Sequence, residues 1–566
     1  MKVFKKLFNA SLAIVLACSA LLPQVAVANA TSLTIVSELR PAWKRNFNPF
    51  NSSHRLPTTM QFIYEPLIVF NELQGGKPVY RLATDHWFSK DLKTLTFVIR
   101  ENVTWSDGEP FTADDVIFSM RLAMRNKALD VRGIAEDIES VSRVGRHKVE
   151  IKLNKVDAGL DIRIVRAPIV PKHIFSKIKP EDIPSFDNPH PVGTGPFTEV
   201  TMFNWSVYVQ CRNPYYYDNK ELDIDCLKSP VVNNNAELLK AAIKGRLDWT
   251  SSFIPDIEDV LLSKNQSTKY WFPAAGTASF MVNFKTPNAN NRKAFNNINF
   301  RRAFSMAIDR ERVVQEAGSG YWSVNRYPSG LGDQFKPWAN GTTQNFYKKY
   351  NTYDITGAKL LLAEAGFRDF DGDGFVENPD GSAIKFDILV PNGWSDHVAA
   401  TEIGIEGLRS IGINAGIALP EFGELTDLVK EADYDAQFTN YFAGATPHHY
   451  YHSGFHSSQM NKARFAGHHN VDLMLDKLID AFNRTTDQNK REEVMHRIQE
   501  RIGSQQVIMP VISSNFNYQY DDISFTGWFN AENPGGIPVI HPDIPERLLH
   551  VLSLKPVPKE EQSKKI

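Results

Sequence analysis

The sequence predicts an α/β or α+β chain of more than one domain, and three observations carry that expectation. Segments such as "KVEIKLN" (148–154) and "ASFMVNFK" (278–285) alternate apolar and polar residues at strand period. "AAIKGRLDWT" (241–250), "LLLAEAGF" (360–367) and "LRSIGINAGIAL" (408–419) each read as a helix stopped by glycine and followed by a strand or loop. The length of 566 residues exceeds what one hydrophobic core usually holds, so two or three domains are expected.

The helix–glycine–strand units recur between about 290 and 515, which predicts a compact α/β lobe there. Earlier in the chain, Thr112 and Asp115 form a variant capping box ahead of Val116, Met120, Ala123 and Met124, which share one helical face. The tail after Lys555 is polar and charged and is expected to be disordered. There is no fixed-period repeat and no low-complexity linker.

The chain opens like an exported protein. Lys2, Lys5 and Lys6 precede an apolar run from Leu7 to Leu22, and Ala28, Asn29 and Ala30 supply an A-x-A cleavage site, so residues 1–30 read as a signal peptide. Cys18 in "VLACSA" could be a lipoprotein acylation site, but Leu16 fits that box poorly and the apolar stretch runs past the cysteine. Removing the three leader lysines takes the formal net charge from -2 to -5. That mild, mixed balance, with no basic cluster, argues against a nucleic-acid partner. Cys211 and Cys226 remain in the mature chain, and an oxidising compartment would join them; two buried free thiols are the alternative.

No catalytic signature stands out. G-x-S-x-G, H-E-x-x-H, a Walker loop and G-x-G-x-x-G after a strand are all absent, and no carboxylate pair rises above the background. We therefore expect a protein that is not an enzyme and that needs no cofactor. In "DFDGDGFVENPD", Asp369, Asp371, Asp373 and Asp380 occupy positions 1, 3, 5 and 12 of a calcium loop. A polar Gly-Asp-Gly hairpin accounts for the same letters and is favoured, because no flanking helix pair is evident. "HHYYHSGFH" offers His448, His449, His452 and His456 at helical zinc spacing, but Ser453 and Gly454 argue against a long helix. A histidine-and-tyrosine surface that touches ligand or partner is the favoured reading.

"PNGWSDH" (391–397) sets Trp394 behind a Pro-Asn-Gly turn, where nothing local asks for a large ring. Aromatic faces together with amides and carboxylates suit a pyranose, which has a C–H face and a belt of hydroxyls. Trp394, Asp396, Asn440, Tyr441 and Phe442 thus read as a sugar site, against the alternative that Trp394 and Phe442 are core.

"TWSDGEPFTADDVIFSM" (104–120), "NPHPVGTGPF" (188–197), "CRNPYYYD" (211–218) and "NFRRAFSMAIDR" (299–310) resemble the signature stretches of the family 5 extracellular solute-binding proteins. These are the receptors of peptide, nickel and oligosaccharide ABC importers. The glycines of "PVGTGPF" are read as serving a backbone turn. In the peptide receptors a carboxylate in a W-x-x-D-Y-x-x-P-like motif pairs with the α-ammonium; "NYFAGATP" carries Ala443 there. A buried ammonium without a partner costs several kcal/mol, so a free peptide fits poorly unless Glu38, Asp396 or Glu421 substitutes. "MVNFK", "TSSFIPDI", "YWFPAAGT", "PNGWSD", "TNYF", "SGLG" and "IPERLLHVL" further resemble the chitin-oligosaccharide-binding branch of marine bacteria.

That resemblance implies a periplasmic-binding-protein-like α/β fold, with two lobes around a ligand cleft plus an extra small domain. Residues 31–70, 195–290 and 520–555 would form the first lobe, 71–194 the small domain, 291–519 the second lobe and 556–566 the tail. It implies a monomeric periplasmic receptor that delivers N-acetylglucosamine oligomers to an inner-membrane ABC permease, with a membrane sensor kinase as an optional further partner. By motif, Trp394 would stack on a sugar, Asp396 would accept its hydrogen bonds, Asn440 would bond the acetamido group and Phe442 would line its pocket. Phe465, beside Arg464, joins the site, and Arg55 would bond across the cleft. His541 stands where the branch has a second tryptophan, and Trp528 is a candidate replacement for the missing ring.

Overall fold

The computed structural model describes residues 31–565, apart from positions 443, 445, 463, 486 and 543. The expected leader, with Cys18, and the Ala443 position lie outside the described residues. Two large mixed sheets and one small antiparallel sheet organise the chain.

The first sheet runs in the order Thr268–Tyr270, Gln519–Asp521, Trp249–Thr250, Ser32–Val36, Cys226–Pro230, Val207–Arg212, Phe197–Phe203. Leu33 and Ile35 point from its central strand into a core with Trp249, Tyr518 and Trp528. Cys211 and Cys226 face each other in register on adjacent antiparallel strands and form a disulfide, resolving the alternative left by the sequence.

The second sheet has the order Ser323–Val324, Ile508–Asn515, Ala274–Val282, Ala436–Phe442, Lys385–Leu389, Asn414–Ala418. Phe280, Phe304, Ile388 and Phe438 share one core beneath the helices Ile298–Met306, Ile355–Glu364 and Ser395–Ser410. Met281 contributes to a separate core with Tyr441, Tyr450 and Ile479. Consecutive residues of one strand serve two cores, so the strand is covered on both faces. The three glycine stops behave as the sequence predicts: Gly245, Gly366 and Gly412 all have positive φ just past a helix.

Ala274–Val282 corrects the expected boundary, which placed residues up to 290 in the first lobe. The strand lies inside the second sheet and the chain crosses over near 271–273. Strand periodicity reports that a segment is extended, not which sheet it joins. The chain returns alongside: Trp271 N–H donates to Tyr518 O and Phe516 N–H to Pro273 O, so the two crossings form one hydrogen-bonded hinge.

The small domain is built on the sheet Ala83–Phe88, Thr94–Ile99, Lys148–Leu153, Ile138–Val144 and the helix Ala113–Arg125. The Thr112/Asp115 capping box is present, and Trp105 is fully buried against Phe111 at 5.7 Å. The glycines of "PVGTGPF" have a role other than the expected turn. A Cβ on Gly193 would lie 2.1 Å from Ile63 O and one on Gly195 2.4 Å from Phe62 O, so they permit close backbone approach. The tail expected to be disordered instead carries the helix Lys559–Lys565 behind Pro558, with Glu560 and Glu561 in its first turn. Its lysines and glutamates are good helix formers, and those acids favour the helix N-terminus.

Candidate functional site

A cavity of about 180 Å³ lies between the two large sheets. The first lobe contributes Ser37–Arg40 beyond the strand Ser32–Val36, Ser251–Phe253 beyond Trp249–Thr250, and Val539 and His541. The second lobe contributes Trp322, Trp394, Asp396, His397, Phe422, Asn440 and Arg464. The hinge residues Phe516 and Asn517 complete the wall. The lobes also touch directly: Ser53 donates to Asp427 Oδ1 at 3.1 Å, and Asn235, at the cavity wall, donates Nδ2 to Ser395 Oγ at 3.0 Å, so the cleft is closed.

The turn after Lys385–Leu389 delivers Trp394 immediately before the helix Ser395–Ser410. One face of the indole stacks on Phe422, 5.5 Å away and 15° from parallel. His397 meets its edge at 5.1 Å. Burial pushes His397 below its ordinary range, against the opposing pull of Asp396, so it is neutral at neutral pH. Asp396 occupies the first turn of the 16-residue helix, where the macrodipole favours a carboxylate. It is 8% exposed and has no hydrogen-bond or ion-pair partner among the described residues. Glu38, in contrast, is paired with Arg40 at 2.6 Å.

Arg464 fixes the orientation of Asn440. Its guanidinium lies over the rings of Phe422 and Phe465 and donates to Thr439 Oγ1 at 2.6 Å and Asn440 Oδ1 at 3.0 Å. Because a guanidinium is donor-only, the amide oxygen must face it. The Asn440 NH₂ is thereby a donor with no protein partner among the described residues. The wall thus offers an uncommitted acceptor, Asp396, and an uncommitted donor, Asn440, beside a supported indole, and Ser37 Oγ and His397 Nδ1 also lack a hydrogen-bond partner among the described residues.

The structure brings Trp394, Asp396, Asn440 and His541 to one cavity, with His541 contributed by the opposite lobe. Other expected members are elsewhere. Trp528 is core: it is 4% exposed, stacks on Tyr520 at 5.0 Å, meets Trp249 at 6.4 Å and donates its N–H to Phe525 O. Both its apolar surface and its polar tip are satisfied internally, so nothing remains for a ligand. Phe465 packs at 6.0 Å from Tyr441 beneath Arg464 and does not line the cavity. Arg55 is buried and also does not line it; in its segment Ser53 reaches the second lobe. The side chain of Phe442 lies outside the described residues.

The two metal-like motifs resolve structurally. Asp369 accepts from Gly372 and Gly374 N–H, Asp371 from Asp373 N–H and Asp373 from Phe375 N–H, as a polar hairpin requires. Carboxylate oxygens of Asp369, Asp371, Asp373 and Glu377 lie within 4.8 Å of one another, whereas Asp380 pairs with Lys293 at 2.5 Å. Glu377, not Asp380, completes that cluster. The histidine motif is not a surface: it forms the helix Pro447–Phe455, in which His448, His452, Tyr450 and Tyr451 are buried. Gly454 lets this helix lie on Tyr441, whose ring would be 3.0 Å from an added Cβ.

Residues 77–462 match the model of the bacterial extracellular solute-binding proteins, family 5. The chain belongs to that family. The oligopeptide-binding protein AppA of Bacillus subtilis is 23% identical over 72% of this chain and 73% of its own length. The di/tripeptide-binding protein 3 of Pseudomonas aeruginosa is 23% identical over 86% and 90%. Among solved structures, a mannohexaose-bound periplasmic oligopeptide-binding protein of Thermotoga maritima has a TM-score of 0.85 at 23% identity, covering 93% of this chain and 99% of its own. AppA with a bound nonapeptide has a TM-score of 0.78 at 20% identity, covering 94% and 99%.

Like other family 5 proteins, the chain is a transport receptor of an ABC importer and not an enzyme. Among the described residues, no helix is long and apolar enough to cross a membrane. Two arginines of the stretches that carry the resemblance serve the scaffold. Arg310 of "NFRRAFSMAIDR" donates to the carbonyls of Pro510, Ser305 and Ile308. Arg547 of "IPER" donates to those of Pro57, Met60 and Ile540. Sequence reasoning missed Phe422 and Trp322 in this receptor's cavity. Phe422 lies 28 positions beyond Trp394, and no local pattern marks it.

Proposed function

We propose that this family 5 receptor works in the periplasm, capturing short N-acetylated amino-sugar oligomers of the chitin type and presenting them to an inner-membrane ABC permease. The observation that carries the reading is the uncommitted pair, Asp396 as acceptor and Asn440 NH₂ as donor, beside Trp394. An acetamido group offers one N–H and one C=O, the complement of that pair. The indole, braced from behind by Phe422, supplies an apolar face for the C–H side of a pyranose. A cavity of 180 Å³ is close to the ~150 Å³ engineered cavity that holds one six-membered ring, so the enclosed part of the ligand is about one sugar ring. A related fold with mannohexaose bound supports a sugar in such a cleft.

Contacts from both lobes favour the closed form, and their differential energy sets the population shift. A peptide is the second reading, favoured by the peptide-binding names of the relatives and by Asp396 as a partner for an α-ammonium. Titration calorimetry of the mature protein with N-acetylchitooligosaccharides, cello-oligosaccharides and mixed tripeptides separates these readings. Binding confined to the acetylated sugars is expected. Heat with tripeptides alone would replace the sugar by a peptide, and heat with cello-oligosaccharides alone would keep a sugar but remove the acetamido contact.

A further inference from the structure

A second cavity, of about 60 Å³, lies where the small domain meets the second lobe. Ala158, Gly159, Ile162 and Arg163 wall it from the small domain, and Thr446, His448, His449, His452, Asn483 and Arg491 supply its polar groups from the second lobe. The two domains are clasped around it: Ala158 N–H donates to Asn483 O at 2.7 Å, and Lys155 Nζ lies 3.0 Å from Asp480 Oδ2. Gly159 permits the approach, since a Cβ there would fall 2.6 Å from Asn483 Nδ2.

Several polar groups of the lining have no protein partner among the described residues. His448 Nε2 donates to Ile479 O and its Nδ1 accepts from Asn483, so that ring is satisfied. His452 is 7% exposed, lines the cavity, and has no side-chain hydrogen bond among the described residues. Arg163 bonds Asp137, Asp157 and Gly133 O through its terminal nitrogens, which leaves its buried Nε without an acceptor. Arg491 donates Nε to Thr485 O and has no carboxylate within ion-pair distance among the described residues. No Asp or Glu lines the cavity. Thr446 and His449 place the start of the nine-residue helix Pro447–Phe455 at its wall, and no side chain caps that start.

The orphan Arg163 Nε–H, an unpartnered buried His452, a helix start and the Arg491 guanidinium, which has no carboxylate in direct contact among the described residues, are elements that an oxyanion can use. We propose that this cavity binds a small oxyanion, held between His452, Arg163 and Arg491 at the N-terminus of Pro447–Phe455. A volume of 60 Å³ admits roughly four water-sized spheres, comparable with the oxygens of one tetrahedral anion. The electrostatics agree. Burial is the main reason that His449 and His452 lie well below their ordinary range, and the positive potential of nearby arginines and histidines adds to it. An anion is what that potential favours. Because both domains furnish ligands, occupancy would strengthen their clasp.

Calorimetric melting of the full mature protein in sulfate, phosphate or acetate, against chloride at equal ionic strength, tests the proposal. A saturable rise in Tm with at least one oxyanion is expected, and it should be largely lost in Arg491→Gln. A response to sulfate and phosphate alone would assign a tetrahedral anion; a response to acetate as well would assign a carboxylate-sized one. Absence of any saturable rise would overturn the proposal. So would a rise of equal size in Arg491→Gln, which would put the anion elsewhere. Selenate-soaked crystals give a check independent of the variant: an anomalous peak is expected between His452 and Arg491, and a map without one there counts against the site.

Discussion

Trp394 illustrates how a single residue can be legible while its support is not. Its place behind a Pro-Asn-Gly turn flags an aromatic without a local packing role, and the structure sets it on the cleft cavity. Phe422 holds it there but belongs to another helix, so no local pattern reveals the pair. Trp528 failed the opposite way, because nearness in sequence to His541 says nothing of the Tyr520 and Trp249 rings that cover it. Trp394→Ala should weaken sugar binding by roughly 1 to 3 kcal/mol. Its Tm should be little changed, since the ring is only half-buried. Unchanged calorimetric affinity in the folded variant would remove Trp394 from the site. Arg464→Leu tests the neighbouring amide. Without the guanidinium, Asn440 Oδ1 loses the donor that orients it, so affinity for acetylated sugars should fall more than affinity for unacetylated ones. Equal losses for both ligands would show that Arg464 does not position Asn440.

At the scale of elements, the helices and their glycine stops were readable because capping and termination are local chemistry. The burial of Pro447–Phe455 was not. Histidines and tyrosines suit a surface as well as an interior, and what covers this helix includes the small domain, which comes from a segment nearly 300 residues earlier. The clasp has a titratable link in Asp480. Burial alone would raise its pKa, but bonds from His456 and Lys155 outweigh that and bring it to about 2. A carboxylate depressed in the folded state stabilises fully above its unfolded value, near 3.8, and that contribution is lost as pH falls towards 2. Asp480→Asn should therefore cost on the order of 1 kcal/mol at neutral pH, after solvent screening of this partly exposed group. The cost should shrink as the pH is taken below about 3. Denaturant unfolding at both pH values checks this, and a deficit that persists unchanged in acid would assign the loss to packing.

Across the whole molecule, the three-region layout follows from the family resemblance, but the sheet change near 271–273 shows what periodicity omits: the same alternation suits either sheet. The join between first lobe and small domain was equally hidden, because Glu72 and Glu546 are unremarkable letters far apart in sequence. In the structure Glu72 N–H donates to Glu546 Oε1 at 2.9 Å, and Arg166 donates to Glu72 Oε1 at 2.9 Å. Glu546 is fully buried, and burial followed by the nearby Glu72 charge pushes its pKa up to about 8. One arginine thus faces two carboxyls, and burial favours the protonated form of Glu546. For a group raised in this way, the favourable contribution is complete below its unfolded value of 4.5 and is lost as pH rises through about 8. Glu546→Gln keeps an acceptor for Glu72 N–H and needs no proton. Its stability relative to the parent should rise with pH across that window, by up to about 1.4 kcal/mol per pH unit. Denaturant midpoints for both proteins from about pH 5 to about pH 9 measure the difference directly. A difference independent of pH would mean that Glu546 is already ionised, and that the join is held by Arg166 against two charges.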